Sequence, residues 1–412
     1  MSPGPSAADR DGLTVAAVLR RFLPAWRDRG PAADRARTVL RRLSRCFTGE
    51  LGWSWWHCDD CHQRHWRPAG CGDRHCPACQ GRQRAAWLAR QRQALLPVRY
   101  YHWVFTLPAV LRPLALQNPK AIYTLLFDAA AQTLLEFGQE RFAAQLGVTA
   151  LLHTWAQNLS DHPHLHCLVT GGGLHRAADG TTTWRGPKQA RYLFPVKAVA
   201  ARFAGRFLAG LERLRPDLTL TGALAPWQDP GVWTRTRAIL QGQSWVVFAK
   251  GSVAGPEAVL EYLGRYTHRV ALANGRLVRM DDRTVTFRYK DYRRGDQLRE
   301  LTLTGEEFVR RLAAHVLPAG FTKIRHYGLL GNNQRARRVP LARTALASSR
   351  WHQPLAPAAP ATTAPAAAPR PANGCPACGS ARLTCVGRLT ADGRFRRCHR
   401  TPPAPSRAPD TS

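Results

Sequence analysis

Three histidines, His162, His164 and His166, occupy alternate positions in the stretch HPHLHCLVTGGGL. Side chains on an extended strand alternate between faces, so the three imidazoles share one face and Leu165, Cys167 and Val169 take the other. Two imidazoles two residues apart on a rigid strand can grip one divalent ion. The alternative is a structural strand that happens to be rich in histidine. A metal site needs a third ligand. His162 offers one by alternation. Gln157, placed at the end of the preceding strand, is preferred, because an amide oxygen suits Mg²⁺ or Mn²⁺. Glycines 171–173 then let the chain turn or let a ligand approach.

Cysteines supply a second set of ligands. Cys58 and Cys61 form one CxxC pair and Cys76 and Cys79 another, with fourteen residues between the pairs. The pattern C-x2-C-x14-C-x2-C suits tetrahedral zinc, each pair placing two thiolates on one side of the ion. Cys71, His62, His65 and His75 lie in the same window and can replace one ligand. The tryptophans Trp53, Trp55 and Trp56 are expected to form the module's small core rather than to stack on bases. Further on, Cys375, Cys378, Cys385 and Cys398 follow a looser C-x2-C-x6-C-x12-C spacing, a second candidate zinc set with an unstructured tail as its alternative.

The stretch EYLGRYTHRV sets Tyr262 and Tyr266 one helical turn apart, on one face of a helix. On most helices such a pair belongs to the core. Arg265, His268 and Arg269 make a poor core, and they suit a DNA phosphate instead. A free phenol has a pKa of about 10. It attacks phosphorus at neutral pH only beside cations or on a metal-polarised substrate.

The surrounding elements must hold these groups. VAAVLRRFLPAW and RARTVLRRLSRC carry helical periodicity, and GRQRAAWLARQRQALL reads as a basic helix ending at Pro97. RYYHWVFTLP is a strand. KAIYTLLFDAAAQTLLEFGQERFAAQLG is a long helix closed by Gly147. VTALLHTWAQ and HPHLHCLVT flank the turn NLSD and form a hairpin. RFAGRFLAGLERL and PEAVLEYLGRYTHR are helices, SWVVFAKG and FTKIRHYG are strands, and RLVRMDDRTVTFRYK turns at its aspartates. TGEEFVRRLAAHVLP is a helix capped by Thr304. From about residue 352 a Pro/Ala run forms a linker. Hairpins without a βαβ rhythm predict an α+β fold with a largely antiparallel sheet.

The charge points to a partner. Lys+Arg number 60 against 27 Asp+Glu, a formal net charge of +33, and 54 of the 60 cations are arginine. Such a surplus matches a polyanion, nucleic acid first, and arginine forks suit phosphates and bases. No apolar run is long enough to span a bilayer, and MSPGPSAADRDGL lacks the layout of a secretory signal, so a cytoplasmic protein with no membrane partner is expected. Clustered CxxC pairs in that compartment favour zinc over disulfides.

Taken together, CGDRHCPAC, HTWAQNLSDHPHLHCLVTGGGL, YLGRYTHRVALAN and FTKIRHYGLLGN resemble the two-tyrosine HUH transposases of rolling-circle type, insertion-sequence family ninety-one, from about residue 20 to residue 335. The resemblance implies an HUH-type antiparallel sheet flanked by helices. Its histidine pair falls on His164 and His166, holding Mg²⁺ or Mn²⁺, and its tyrosines fall on Tyr262 and Tyr266. It implies cutting and rejoining of single-stranded DNA at transposon ends and target through a 5′-phosphotyrosyl intermediate, without ATP, near the bacterial nucleoid and with host replication or helicase factors. Residues 1–98 are then a helical, zinc-binding DNA-recognition domain and 99–345 the catalytic domain. Residues 346–374 are a linker, and 375–412 a small zinc ribbon and tail. His326 and Tyr327 are candidates to line the site.

Two rival readings remain at this level. An HUH relaxase or replication initiator shares the chemistry, but such proteins often carry a helicase, and no GxxxxGK[ST] phosphate loop occurs here. A non-catalytic zinc-binding DNA protein explains the charge and the cysteines, and leaves the histidine strand and the tyrosine pair without a purpose.

Overall fold

The computed structural model describes residues 13–28, 30–80, 88, 91–189, 192–253, 259, 270–353 and 374–398. Tyr262, Tyr266, Arg265 and Arg269 lie outside them, as does most of the expected basic helix before Pro97. The strands are β1 Trp53–Cys58, β2 Arg64–Pro68, β3 Tyr100–Thr106, β4 Gln145–Trp155, β5 Asp161–Arg176, β6 Thr182–Arg185, β7 Val247–Val253, β8 Leu277–Met280, β9 Thr284–Asp291, β10 Gln297–Thr304, β11 Ile324–Gly328, β12 Leu383–Leu389 and β13 Phe395–Arg397. Every strand pairing is antiparallel, and the fold is α+β.

The central six-stranded sheet runs β11-β4-β5-β3-β7, with β6 beside the end of β5. Period-two alternation gives it one apolar face. Val148, Ala150 and Leu152 of β4, Leu165, Cys167 and Val169 of β5, and Tyr101, Trp103 and Phe105 of β3 join one buried core. Helices Pro119–Phe142 and Val196–Leu214 cover that face with Leu126, Phe127, Leu134, Phe203 and Phe207. Strand alternation therefore turns His102, His153, His164 and His166 to the opposite face.

The long helix stops earlier than its sequence suggests. It ends at Phe142, and Ala143 takes the left-handed conformation at φ 49°, while Gly147 lies inside β4. A Cβ in that region costs about 1 kcal/mol. Ala143→Gly is accordingly expected to raise the urea midpoint by roughly that amount of stability. Glycines 171–173 also differ from the expected turn, since they continue β5. A Cβ on Gly171 would lie 2.9 Å from the Arg99 carbonyl oxygen, and one on Gly173 would collide with the Gln145 backbone. Their smallness admits neighbouring strands.

A second core joins the N-terminal helices Val15–Phe22 and Pro31–Ser44 to the sheet β10-β9-β8 and helix Gly305–Ala314. Thr304 caps that last helix, its Oγ1 accepting from the Glu307 amide at 3.3 Å. A four-stranded sheet in the order β13-β12-β1-β2 makes the third unit. Here the chain departs from the expected domain division. Residues 374–398 do not form a separate ribbon. Strand β12 pairs with β1 from Trp53 opposite Leu389 to Cys58 opposite Leu383.

Candidate metal centres and active site

Four thiols meet where the N-terminal helices end. Cys46, two residues beyond helix Pro31–Ser44, joins Cys71, Cys76 and Cys79, with all four sulfurs within 4.8 Å of one another. The Cys46–Cys79, Cys46–Cys76 and Cys71–Cys79 sulfurs stand 3.6, 3.6 and 3.8 Å apart. A tetrahedron with Zn–S bonds of about 2.3 Å has edges of about 3.8 Å. Backbone amides of Cys71 and Gly72 donate to the sulfurs of Cys46 and Cys79, each at 3.3 Å, as thiolates require. The donor set fits zinc.

A second thiol group contains Cys58, Cys61, Cys375 and Cys378. The expected set of Cys58, Cys61, Cys76 and Cys79 is thus divided between two groups, because β1 and β2 carry the first pair away from the second. The expected C-terminal set divides as well. Cys375 and Cys378 turn to β1, whereas Cys385 and Cys398 form a disulfide across the β12–β13 hairpin. Cys71 does enter a group, as its position allowed. His75 does not. Its Nδ1 lies 2.7 Å from the Asp73 carboxylate and its Nε2 accepts from the Leu317 amide at 3.2 Å. Sequence reasoning missed Cys46, whose only signal was an unassigned cysteine upstream of C-x4-C-x2-C.

Of the three tryptophans expected to form the module's core, Trp53 is exposed, while Trp55 and Trp56 are half-buried. Trp53 and Trp66 are 40% and 46% exposed, and Phe395 is 46% exposed. Trp55 and Trp66 stack with centroids 5.8 Å apart, Phe395 stands edge-on to both, and Arg64 lies over Trp55. The alternation that puts Cys58 inside puts Trp53 and Trp55 on the outer face.

The third group is made of histidine. His153 of β4 pairs directly with His164 of β5, and the ligand nitrogens of His153, His164 and His166 all lie within 4.8 Å of one another. The ring centroids are 4.7–5.4 Å apart. His164 Nδ1 donates to the His162 carbonyl at 2.6 Å, which fixes a tautomer with its lone pair on Nε2. The His166 Nδ1 meets His102 Nε2 at 3.0 Å, the two rings stacked. Burial pushes the pKa of His102 down to about 4, with Lys250 adding to the effect, so the ring is neutral.

His153, and not Gln157 or His162, is grouped with His164 and His166. Gln157 sits in the turn beyond β4 and its amide meets the Tyr292 hydroxyl at 3.4 Å. His162 Nδ1 meets Arg112 at 3.2 Å. His326 lies on the histidine face, bonded to Thr149 at 3.0 Å, while Tyr327 packs on the opposite, apolar side. The turn after His153 is firmly held. Arg276 donates to the Gln157 carbonyl, Arg311 to that of Asn158 at 3.1 Å, and His315 to that of Leu159 at 3.1 Å. His102→Phe is expected to weaken Mn²⁺ binding by about 10- to 100-fold, as loss of a ligand's outer partner does. Calorimetric titration would check this.

Three imidazoles form a borderline donor set. They fit Mn²⁺ and later first-row ions better than Mg²⁺, which prefers oxygen. The thiol module docks beside this centre, where Arg35 donates to the Leu317 carbonyl at 2.9 Å and Arg74 to those of Pro318 and Phe321.

Comparison with known proteins fits this arrangement. Residues 18–107 match the family described as "Transposase zinc-binding domain" and residues 147–338 the one described as "Putative transposase". Both describe one class of protein, a transposase, whose substrate is DNA. The "Putative transposase y4qJ" of Sinorhizobium fredii (strain NBRC 101917 / NGR234) is 43% identical over 345 residues, 82% of this chain and 86% of its own. The "Transposase for insertion sequence element IS801" of Pseudomonas savastanoi pv. phaseolicola is 28% identical over 315 residues, covering 75% and 73%. No solved structure matches the chain. The chain belongs to the transposases of insertion-sequence family ninety-one, with the N-terminal zinc-binding domain of that family. Among the described residues, no helix is long and apolar enough to cross a membrane.

Proposed function

We propose that this transposase cuts and rejoins single-stranded DNA at element ends and target, with Tyr262 and Tyr266 as nucleophiles and His153, His164 and His166 as ligands of a divalent ion. The observation that carries the reading is the histidine trio, fixed across β4 and β5 on the face of the sheet opposite the main core. His153, His164 and His166 would hold the ion, which would supply charge neutralisation at the scissile phosphate. The tyrosine oxygen attacks phosphorus and gives up its phenolic proton, the bond from phosphorus to the 3′ oxygen breaks, and that oxygen takes up a proton and leaves as a 3′ hydroxyl. The 5′ phosphate stays on tyrosine, so no ATP is consumed and a later 3′ hydroxyl can reverse the exchange. The second tyrosine serves the second cut.

Two further observations support the assignment. Val259, three positions before Tyr262, is fully buried in a cluster with Tyr100 and Leu168, whose side chains lie on the histidine side of the sheet. Tyr100, Tyr101, Tyr123 and Tyr327 have phenols pushed up by burial, which makes them poor nucleophiles at neutral pH. The exposed rings of Trp53, Trp66 and Phe395 favour single strands, since unpaired bases stack on such faces. Arg265 and Arg269 then contact phosphates beside the tyrosines. Action in the nucleoid with host replication or helicase factors follows from this reading.

The test uses 3′-labelled single strands from the DNA flanking the gene, incubated with protein and Mn²⁺ or with EDTA. Label is expected to migrate with denatured protein only with metal, and to vanish in the Tyr262→Phe, Tyr266→Phe double variant. DNA binding without an adduct would remove the nuclease reading and leave a zinc-binding DNA protein or an inactive copy.

A further inference from the structure

We propose that Cys58, Cys61, Cys375 and Cys378 hold a zinc ion of their own, which fastens segment 374–398 to β1 and so joins regions more than 300 residues apart. The family match ends at residue 107, so half of this ligand set lies outside the zinc-binding domain it describes. The four sulfurs lie within 4.8 Å of one another, with Cys58–Cys378 at 3.6 Å and Cys61–Cys375 at 3.5 Å. These are tetrahedral zinc edges, of about 3.8 Å, and too long for disulfides.

Both halves are built alike. In the first, the His62 amide donates to the Cys58 carbonyl at 3.0 Å, and His62 adopts a φ of 57° to close the turn. In the second, the Gly379 amide donates to the Cys375 carbonyl at 2.8 Å, with Gly379 at φ 76°. Two turns of one geometry, each presenting two sulfurs, face each other across the gap. Contacts around them lock the pairing. The Asp59 amide donates to the Arg382 carbonyl at 2.9 Å, Asp60 pairs with Arg382 at 2.9 Å, and Thr384 donates to Asp59 at 3.0 Å. Arg67 reaches the Gly374 carbonyl. Zinc binding displaces the thiol protons to solvent and leaves four thiolates on the ion. Without it, four sulfurs would crowd together at the end of the β1–β12 ladder with nothing to bind them.

The test counts zinc in purified full-length protein. Cys58→Ser with Cys61→Ser is expected to lose one ion relative to the unaltered chain. Cys375→Ser with Cys378→Ser loses one as well, and all four changes together still lose only one. Loss of two ions in the fourfold variant would show that the pairs serve separate sites, and loss of none would show no site. A conservative change guards against misfolding. Cobalt-loaded Cys378→His is expected to keep the full cobalt count with a weaker thiolate-to-cobalt absorption band, and an unchanged band would overturn the assignment. In addition, a protease site placed in the Pro/Ala run should, once cut, leave the C-terminal fragment bound until a chelator is added. Release of the fragment while zinc is still present would refute the fastening role.

Discussion

Replacing His153 with alanine is expected to abolish metal-dependent adduct formation as fully as replacing His164. Removing one of three ligands forfeits the ion's share of transition-state stabilisation, several kcal/mol, or on the order of a thousand-fold in rate. Gln157→Ala and His162→Ala are expected to stay within about tenfold of the parent, because neither belongs to the ligand group: Gln157 bonds Tyr292, and the His162 ring, though 5.0 Å from that of His164, bonds Arg112. The measurement is single-turnover adduct yield against Mn²⁺ concentration. His153→Ala should give no yield at saturating metal, whereas a mere weakening would only move the midpoint. Donor chemistry adds a second readout in the same assay. The nitrogen trio should saturate with Mn²⁺ at a concentration at least about tenfold below that for Mg²⁺. Normal cleavage by His153→Ala would return the third ligand to Gln157 or His162.

The other large effect belongs to Cys46. Its side chain is buried in the second core, beside Cys71 and Cys76 and among residues such as Leu40 and Leu43. A structural zinc ion contributes about 10–16 kcal/mol of apparent binding energy, much of it folding energy. Cys46→Ser is therefore expected to cost more than any surface change in the chain. It should release one zinc, lower the melting temperature by well over ten degrees, and send much of the protein to the insoluble fraction. The loss should also reach catalysis without touching a histidine, since Arg74 and His75 of the module hold the backbone at 317–321, just before β11. Chelator-treated parent protein should show the same melting shift. A soluble variant with full zinc content would move the fourth ligand elsewhere.

What the sequence revealed and what it hid follow from distance along the chain. The β4–β5 hairpin was legible because VTALLHTWAQ and HPHLHCLVT alternate around a short polar turn. Helix Gly305–Ala314 was legible from Thr304 and the two glutamates after it. His153 was visible as a residue, but its role depends on strand register, which sets it opposite His164, and register does not show in one strand's pattern. The cysteine partition was hidden for a stronger reason. Cys58 and Cys61 match Cys76 and Cys79 well in spacing, and their partners lie beyond a long linker. Strands β12 and β13 were missed with them, because a short arginine-rich strand looks like tail until β1 accepts it. The early stop of the long helix at Ala143 carried no glycine or proline to announce it.

The pairing of β1 with β12 has a consequence for synthesis. A ribosome adds about 5–20 residues per second. Leu389 emerges more than 300 residues after Trp53, its partner, so β1 waits roughly a quarter of a minute to a minute for its neighbour. Through that interval an edge rich in tryptophan stands open, the kind of surface that recruits other nascent chains. The cell thus receives a transposase whose first sheet is finished last. Messages cut short anywhere before residue 383 yield chains lacking that closure.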